Sequence, residues 1–323
     1  MPHIHISSPI HPAVVEAARA RAEVSLAYGP GAVPLDAVAG RVDAVLLRSG
    51  AFTDEMMAGC PRLRIIARHG VGTDTVDSPA AARRGIWVTN TPGGNSRAVA
   101  EHVFALTLAL GRRLTIASDE TRRGRWAEDR AALNGIELEG RTLGLLGMGN
   151  IGAIVADIGR ALGMTVIVAD PALDQALPHV VPLDELLARA DVLSLHVPLL
   201  PATHHIIDAA ALVRMKPGAI LINTGRGGLV DETALAAALR AGHLGGAGLD
   251  VLEAEIADMV APMPHNRLPI AELPNLIVTP HVAGQTDEAL MKVGMTALAE
   301  IAAVLAGGRP THPVNAPATP FQP

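Results

Sequence analysis

The chain has 323 residues, enough at roughly 100–200 per domain for two domains with cores of their own. A hydrophobic fraction of 49%, a charged fraction of 18% and a formal net charge of -6 fit a globular protein and argue against a nucleic-acid partner, which calls for a basic face. The single cysteine, Cys60, excludes an intrachain disulfide and a cysteine zinc cage. No run approaches the ~20 apolar residues that cross a bilayer, and MPHIHISSPI is not a secretory leader, so the expectation is a cytoplasmic protein with no membrane partner.

Aromatic residues make up only 2% of the chain, so its cores are built from Ala, Val, Leu and Ile. Short apolar runs alternate with Ala/Leu-rich amphipathic stretches, the mark of βαβ units. In chain order the pattern predicts a strand over His3–Ser7, a helix over Pro12–Arg21, a strand over Ala44–Arg48 and a helix over Thr53–Ala58. A strand over Leu63–Ala67, a helix over Thr75–Arg84 closed by Gly85 and a strand over Trp87–Thr89 complete a small doubly wound domain. A long helix is predicted over Ser96–Gly111, then a polar segment, Ser118–Asn134. A second series follows, with strands over Thr142–Leu146, Thr165–Ala169, Val192–Leu195, Ala219–Asn223, Gly246–Val251 and Leu276–Thr279, the outline of a Rossmann-type sheet. Thr286–Gly307 reads as one helix, and the end of the chain, with Pro313, Pro317, Pro320 and Pro323, reads as loose.

The strongest local motif is Gly147-Met-Gly149-Asn-Ile-Gly152, lying between a predicted strand and a helix over Ile151–Leu162. Gly147 suits a tight turn, Gly149 lets backbone approach a pyrophosphate, and Gly152 allows close helix–strand packing. Free N–H groups and the positive end of the helix then favour a diphosphate. Asp170, at the end of the next strand and 18 residues beyond Gly152, suits a ribose diol, and no Arg follows it closely. The expected cofactor is therefore NAD (NADH) rather than NADP.

Three polar residues stand at the ends of later strands, where α/β sheets bind ligands: Arg226, Glu255 and His281. An Arg fork can hold a carboxylate and a carbonyl, a His can exchange a proton near neutral pH, and a carboxylate beside that His should raise its pKa and fix its tautomer. Hydride transfer between a dinucleotide and a 2-oxo acid needs that set. Glu253 stands as an alternative partner should the register shift. His3 and His5 share a strand face and read as edge-strand histidines. His204 and His205 are adjacent and are expected to point apart, so no metal site is expected. The basic run Arg122–Arg125 before Trp126 reads as solvated or as a subunit contact.

These motifs fall in one order: Arg68-His-Gly-Val-Gly72-Thr-Asp74, Asn90-Thr-Pro-Gly, Ala100-Glu-His, Gly147–Gly152, His196-Val-Pro-Leu199, Asn223-Thr-Gly-Arg226-Gly, Leu249-Asp-Val and Pro280-His-Val-Ala-Gly284. In that order they resemble the D-isomer-specific 2-hydroxyacid dehydrogenase family over nearly the whole chain. The resemblance implies two doubly wound parallel-sheet domains. A Rossmann NAD domain (residues 100–284) would be inserted in a flavodoxin-like substrate domain (1–99 and 285–323), with the site in the cleft between them. It implies that Arg226 binds substrate, His281 is the acid/base and Glu255 its partner. His69, Gly70, Val71 and Gly72 would contact substrate. Asn150, Ile151, Asp170, His196, Val197, Pro198, Thr203, Thr224, Gly225, Asp250 and Gly284 would join the three glycines at the cofactor. A small 2-oxo/2-hydroxy acid and a second copy of the chain, as a homodimer, are the implied partners. Hydroxypyruvate, glyoxylate and 3-phosphohydroxypyruvate all suit the resemblance, the first two favoured. A non-catalytic NAD-sensing protein of corepressor type is the alternative. Where the family usually has Pro after the catalytic Glu, this chain has Ile256, and the Met- and Pro-rich stretch to Leu276 reads as a surface loop.

Overall fold

The computed structural model describes residues 1–126 and 130–317. The chain divides into two compact units, Met1–Asn95 with Gln285–Pro323, and Ser96–Gly284. The strands are β1 His3–Ile6, β2 Glu23–Leu26, β3 Ala44–Leu47, β4 Ile65–Arg68, β5 Trp87–Thr89, β6 Thr142–Leu146, β7 Thr165–Ala169, β8 Val192–Leu195, β9 Ile220–Asn223, β10 Gly246–Leu249 and β11 Leu276–Val278. The helices are α1 Pro12–Arg19, α2 Asp54–Ala58, α3 Ser78–Arg83, α4 Ser96–Gly111, α5 Leu114–Arg122, α6 Asn150–Ala161, α7 Leu183–Arg189, α8 Ala209–Arg214, α9 Glu232–Arg240 and α10 Asp287–Leu305.

In the first unit five parallel strands lie in the order β2-β1-β3-β4-β5, the flavodoxin-like order. Side chains alternate along β3. Ala44 and Leu46 pack with Ile4, Ile6, Val14, Ala18 and the α10 residues Ala297, Leu298 and Ile301. Val45 and Leu47 pack on the other face with Phe52, Met57, Ala80 and Ala81. Helices thus cover both faces, as parallel sheets require. Strand β2 escapes the sequence pattern because Glu-Val-Ser-Leu is short, opens on a charge and is only partly buried. Its presence makes β1 an interior strand, which corrects the edge reading of His3 and His5. Both are 2% exposed, and His3 Nε2 and His5 Nδ1 share the Ser25 hydroxyl at 2.8 and 2.9 Å.

The proline-rich end is also ordered where it is described. Val314 N donates to Val88 O, and the Asn315 side chain receives Val88 N and donates to Ile86 O, so the segment lies along β5. Pro320 and Pro323 lie outside the described residues. Helix α5 runs into the polar 118–134 stretch as far as Arg122, and residues 127–129 lie outside the described set.

The second unit holds six parallel strands in the order β11-β10-β9-β8-β6-β7. Strand order reverses at β6, so the loop after β6 opens at the switch point, the place where such sheets bind ligands. Leu143, Leu145, Val192 and Ile222 pack with Val103 and Phe104 of α4 and Val155 and Ala156 of α6. On the opposite face Leu146, Leu193, Leu195, Leu221 and Leu249 pack with residues of α7, α8 and α9 such as Leu187, Leu212 and Leu235. Each fully buried Leu, Ile or Val contributes about 1.5–3 kcal/mol, which fixes the sheet on which the polar loops stand. Among the described residues no helix is long and apolar enough to cross a membrane.

Candidate active site

The register of three neighbouring strands sets the geometry. Asn223, Leu249 and Val278, at the ends of β9, β10 and β11, are directly paired. Adjacent strands lie about 4.8 Å apart. Arg226 follows Asn223 by three residues, Glu255 follows Leu249 by six, and His281 follows Val278 by three, so three groups far apart in sequence leave the same edge of the sheet side by side.

Each loop is pinned by buried groups. The Asn223 side chain is 1% exposed, donates to Arg226 O at 2.8 Å and accepts from Gly225 N at 3.0 Å. Arg226 Nη1 donates to Gly225 O at 2.8 Å. Asp250 is 1% exposed. Its Oδ1 accepts from the Thr279 hydroxyl at 2.5 Å and Val282 N at 2.9 Å, and its Oδ2 accepts from Ala283 N at 2.8 Å. Its carbonyl accepts from His281 N at 2.8 Å. This set holds His281 at φ 54°, a left-handed conformation that costs a β-carbon residue on the order of 1 kcal/mol. His102 Nε2 meets the Thr279 hydroxyl at 3.0 Å and extends the set.

At the centre, His281 Nδ1 lies 2.7 Å from Glu255 Oε2. The other carboxylate oxygen, Oε1, accepts from Leu252 N at 2.9 Å, which locks the turn Glu253–Ile256 that carries Glu255. A carboxylate can only accept there, so in the neutral ring Nδ1 is the protonated nitrogen and Nε2 the basic one. Glu253 lies elsewhere, 2.7 Å from His205 Nε2. The Arg226 loop presses on the Glu255 turn. A β-carbon on Gly227 would stand 2.0 Å from Leu252 C and 2.2 Å from Glu253 N, so only glycine fits.

The dinucleotide motif has the shape its sequence predicts. Gly147 has φ +95°, and a β-carbon there would meet His196 O at 2.8 Å. A β-carbon on Gly152 would stand 2.5 Å from Gly147 O, whereas one on exposed Gly149 would meet nothing within 4 Å. No side chain caps the N-terminus of α6 at Gly149, so Asn150 and Ile151 begin a helix whose first amides are open to an anion. Asp170 Oδ2 accepts from Met148 N at 2.8 Å, tying the acid to the glycine loop. The Thr224 hydroxyl is buried without a partner among the described residues. An open glycine, an uncapped helix end, an adjacent carboxylate and an orphaned hydroxyl fit a bound dinucleotide. The remaining expected residues line the neighbouring loops. Burial pushes the His196 imidazole down to about 4, and its Nε2 meets the Ser194 hydroxyl at 2.9 Å. Val197 packs against Gly147, and the Thr203 hydroxyl donates to Pro198 O at 2.7 Å, closing the loop after β8. Gly284 ends the unit, half-buried.

In the first unit, the carbonyls of Gly70, Val71 and Gly72 are tied down by Thr91 N (3.0 Å), Asn90 Nδ2 (2.9 Å) and Arg68 Nε (2.8 Å). The N–H groups of the same three residues have no acceptor among the described residues, which makes them a nest for an anion. His69 is 7% exposed, and burial, then the Arg48 charge, pushes its imidazole down to about 4.

Sequence reasoning passed over Asn223, Gly227, His102 and Thr279, which act on the site through other groups. Their signal was position within the ordered motifs, at strand ends for Asn223, Gly227 and Thr279 and on α4 for His102. It also misjudged His204 and His205. His205 has φ 50°, and this left-handed turn brings both rings to one side, stacked with centroids 4.0 Å apart at 29°. The 256–275 stretch is a surface loop of short turns, with Ile256, Val260 and Met263 exposed and Leu268 and Leu273 buried as anchors.

Residues 104–283 match the family model for the NAD-binding domain of D-isomer specific 2-hydroxyacid dehydrogenases. The chain is 39% identical to D-3-phosphoglycerate dehydrogenase of Mycobacterium tuberculosis over 313 residues, 95% of this chain and 57% of that protein. It is 41% identical to hydroxypyruvate reductase of Thermotoga maritima over 263 residues, 80% of this chain and 84% of that one. Among solved structures, an NADPH-dependent glyoxylate/hydroxypyruvate reductase from Sinorhizobium meliloti superposes with a TM-score of 0.85 at 32% identity, covering 100% of both chains. The chain spans about half the length of the phosphoglycerate dehydrogenases it matches, between 52% and 60%. With its parallel sheets, its glycine loop and its aligned strand ends, the chain belongs to the D-isomer specific 2-hydroxyacid dehydrogenase family.

Proposed function

We propose that the protein is an NAD(H)-dependent 2-oxoacid reductase/D-2-hydroxyacid dehydrogenase that uses Arg226, Glu255 and His281. The observation that carries this reading is the 2.7 Å contact between His281 Nδ1 and Glu255 at the strand edge that also carries Arg226. A protein that only sensed dinucleotide would have no need of an imidazole held in a left-handed backbone by a buried carboxylate.

The bound dinucleotide would supply or accept the hydride at the substrate's C2. Gly149 and the first turn of α6 would take its diphosphate, Asp170 its ribose diol, and Thr224 a polar group of its nicotinamide end. The guanidinium of Arg226 would hold the substrate carboxylate and carbonyl. In the first unit, the amides of Gly70, Val71 and Gly72 offer neutral donors of the kind that suits a carboxylate. In reduction, His281 in its protonated state gives the Nε2 proton to the carbonyl oxygen. In oxidation, neutral Nε2 takes the hydroxyl proton. Glu255 steadies the cationic form in both directions.

Asp170 favours NAD over NADP, since a carboxylate repels a 2′-phosphate. The S. meliloti relative takes NADPH, so both coenzymes belong in the assay. Hydroxypyruvate and glyoxylate are the favoured substrates, with 3-phosphohydroxypyruvate as a further candidate. Exposed Leu108, Leu114 and Trp126 on and after α4 and α5 support a homodimer formed through this unit.

The test measures NADH and NADPH oxidation with these 2-oxo acids in wild type and His281→Asn, since Asn tolerates positive φ. The expected result is NADH-linked turnover that falls about 10²–10⁴-fold in the variant. Turnover equal to wild type would remove His281 from the chemistry, and no turnover with any substrate would leave the sensing role.

A further inference from the structure

A second group of donors converges outside the Arg226–Glu255–His281 set. His205 Nε2 and His204 Nε2 lie 2.7 and 3.7 Å from the same oxygen, Glu253 Oε1. All three donor atoms fall within 4.8 Å of one another. The His205–Glu253 hydrogen bond explains one imidazole. It does not explain why His204, half-exposed and free to extend into water, stacks on its neighbour and aims at the same carboxylate.

The backbone holds this arrangement in place. His204 N donates to Leu200 O at 2.9 Å, Leu200 N to the Thr203 hydroxyl at 2.8 Å, and His205 N to Gly228 O at 2.8 Å. Glu253 N donates to Glu232 Oε1 at 2.7 Å, and Glu232 is 6% exposed. Three carboxyl groups, Glu232, Glu253 and Glu255, therefore crowd one short turn and its support.

We propose that His204, His205 and Glu253 bind a divalent transition-metal ion of the zinc class. Two imidazoles and a carboxylate suit Zn²⁺, Co²⁺ or Ni²⁺ and disfavour Mg²⁺ and Ca²⁺, which ask for all-oxygen shells. Metal–ligand bonds of about 2.0–2.2 Å in a tetrahedron put neighbouring donors about 3.3 Å apart. The His204 contact must close by roughly 0.4 Å and the His205 contact open by roughly 0.6 Å, within reach of small side-chain rotations. All three residues are at least partly exposed, which gives the ion a path and leaves its fourth position to water. A bound ion would tie the loop after β8 to the turn that carries Glu255, and would offset the crowded negative charge there. The proposal does not depend on the protein being a dehydrogenase.

The test uses the full chain stripped with EDTA. Zn²⁺ is titrated against a chromogenic chelator, Co²⁺ is followed by its visible absorption, and the thermal midpoint is recorded with and without Zn²⁺. The expected result is one saturable site per chain, tetrahedral Co²⁺ bands, and a rise in midpoint with Zn²⁺. Binding should weaken at least about tenfold in His204→Ala and in Glu253→Gln, and the rise should vanish, while His265→Ala, at an exposed histidine, keeps both. His204 is surface-exposed enough that its truncation leaves the fold intact even if Glu253→Gln does not. Binding in His204→Ala equal to wild type, or no saturable binding in wild type, would overturn the proposal.

Discussion

Replacing Gly227 by Ala tests whether the spacing of two loops, more than their charges, sets the chemistry. The new β-carbon would stand 2.0 Å from Leu252 C and 2.2 Å from both Leu252 O and Glu253 N, all backbone atoms. Ordinary contact begins near 3.4 Å, so the Arg226 loop and the Glu255 turn must part by more than 1 Å. A 1 Å misplacement of reacting groups costs about 10²-fold in rate, and overpacking costs about 1–3 kcal/mol in stability. The expected outcome is a folded protein melting a few degrees lower, with kcat on the proposed 2-oxo acids down about a hundredfold and dinucleotide affinity within about threefold of wild type. Gly228→Ala is the control. Its β-carbon would meet only the movable ends of Leu199 and Ile256 at 3.2 and 3.4 Å, so it should keep most activity. Steady-state oxidation of NADH, calorimetric titration of the cofactor and thermal melts give the three readouts. Gly227→Ala with kcat near that of Gly228→Ala would refute the reasoning, because the clash would then have been absorbed without moving either loop.

Two further outcomes follow from buried polar groups. Asp250→Asn leaves a single carbonyl oxygen where Val282 N and Ala283 N now each find a carboxylate oxygen, so one amide loses its acceptor. That should cost about 1–3 kcal/mol and lower kcat by loosening the His281 loop, and an unchanged melting point and rate would sink it. Acid should destabilise the first unit through His5 and His69, whose imidazoles burial holds down to about 4 against an ordinary 6.5. The unfolded chain takes up protons first as pH falls below 6.5, so stability is full above that value and is withdrawn toward pH 4, at about 1.4 kcal/mol per pH unit for each group. Thermal melts from pH 7.5 to 5 should show a midpoint falling with pH, less steeply in His5→Asn, and equal slopes in the two proteins would contradict the assignment.

What the sequence disclosed depended on whether a residue's role was local. The glycine loop was legible because a tight turn, an open backbone and a close helix approach each demand glycine at a fixed spacing, and all three constraints act within six residues. That Arg226, Glu255 and His281 leave one edge of the sheet was legible because each follows a recognisable apolar strand. Strand β2 was not, since four residues with a charged start carry little periodicity, and without it β1 looked like an edge. The pairing of His204 with His205 was hidden for another reason. Adjacent side chains are expected to diverge, and only the positive φ of His205 turns them together, a conformation that histidine visits more than most residues but still uncommonly.

Asp250 shows why the supporting residues are harder to read than the residues proposed to react. Sequence assigned it to the cofactor by resemblance, while the structure gives it four hydrogen bonds to the segment Thr279–Ala283: its carbonyl receives His281 N, and its carboxylate receives the Thr279 hydroxyl and two amides. The imidazole must stand beside Glu255 in a backbone conformation that it would not adopt alone. A buried acceptor on the neighbouring strand supplies the constraint, because β10 and β11 are paired in register at Leu249 and Val278 and Asp250 is the first residue beyond that pair. The position of the imidazole proposed to carry the proton is thus decided by strand register and one carboxylate that need never touch the substrate. Substitutions at Asp250 should therefore act on turnover through the placement of His281, moving kcat more than the affinity for either ligand.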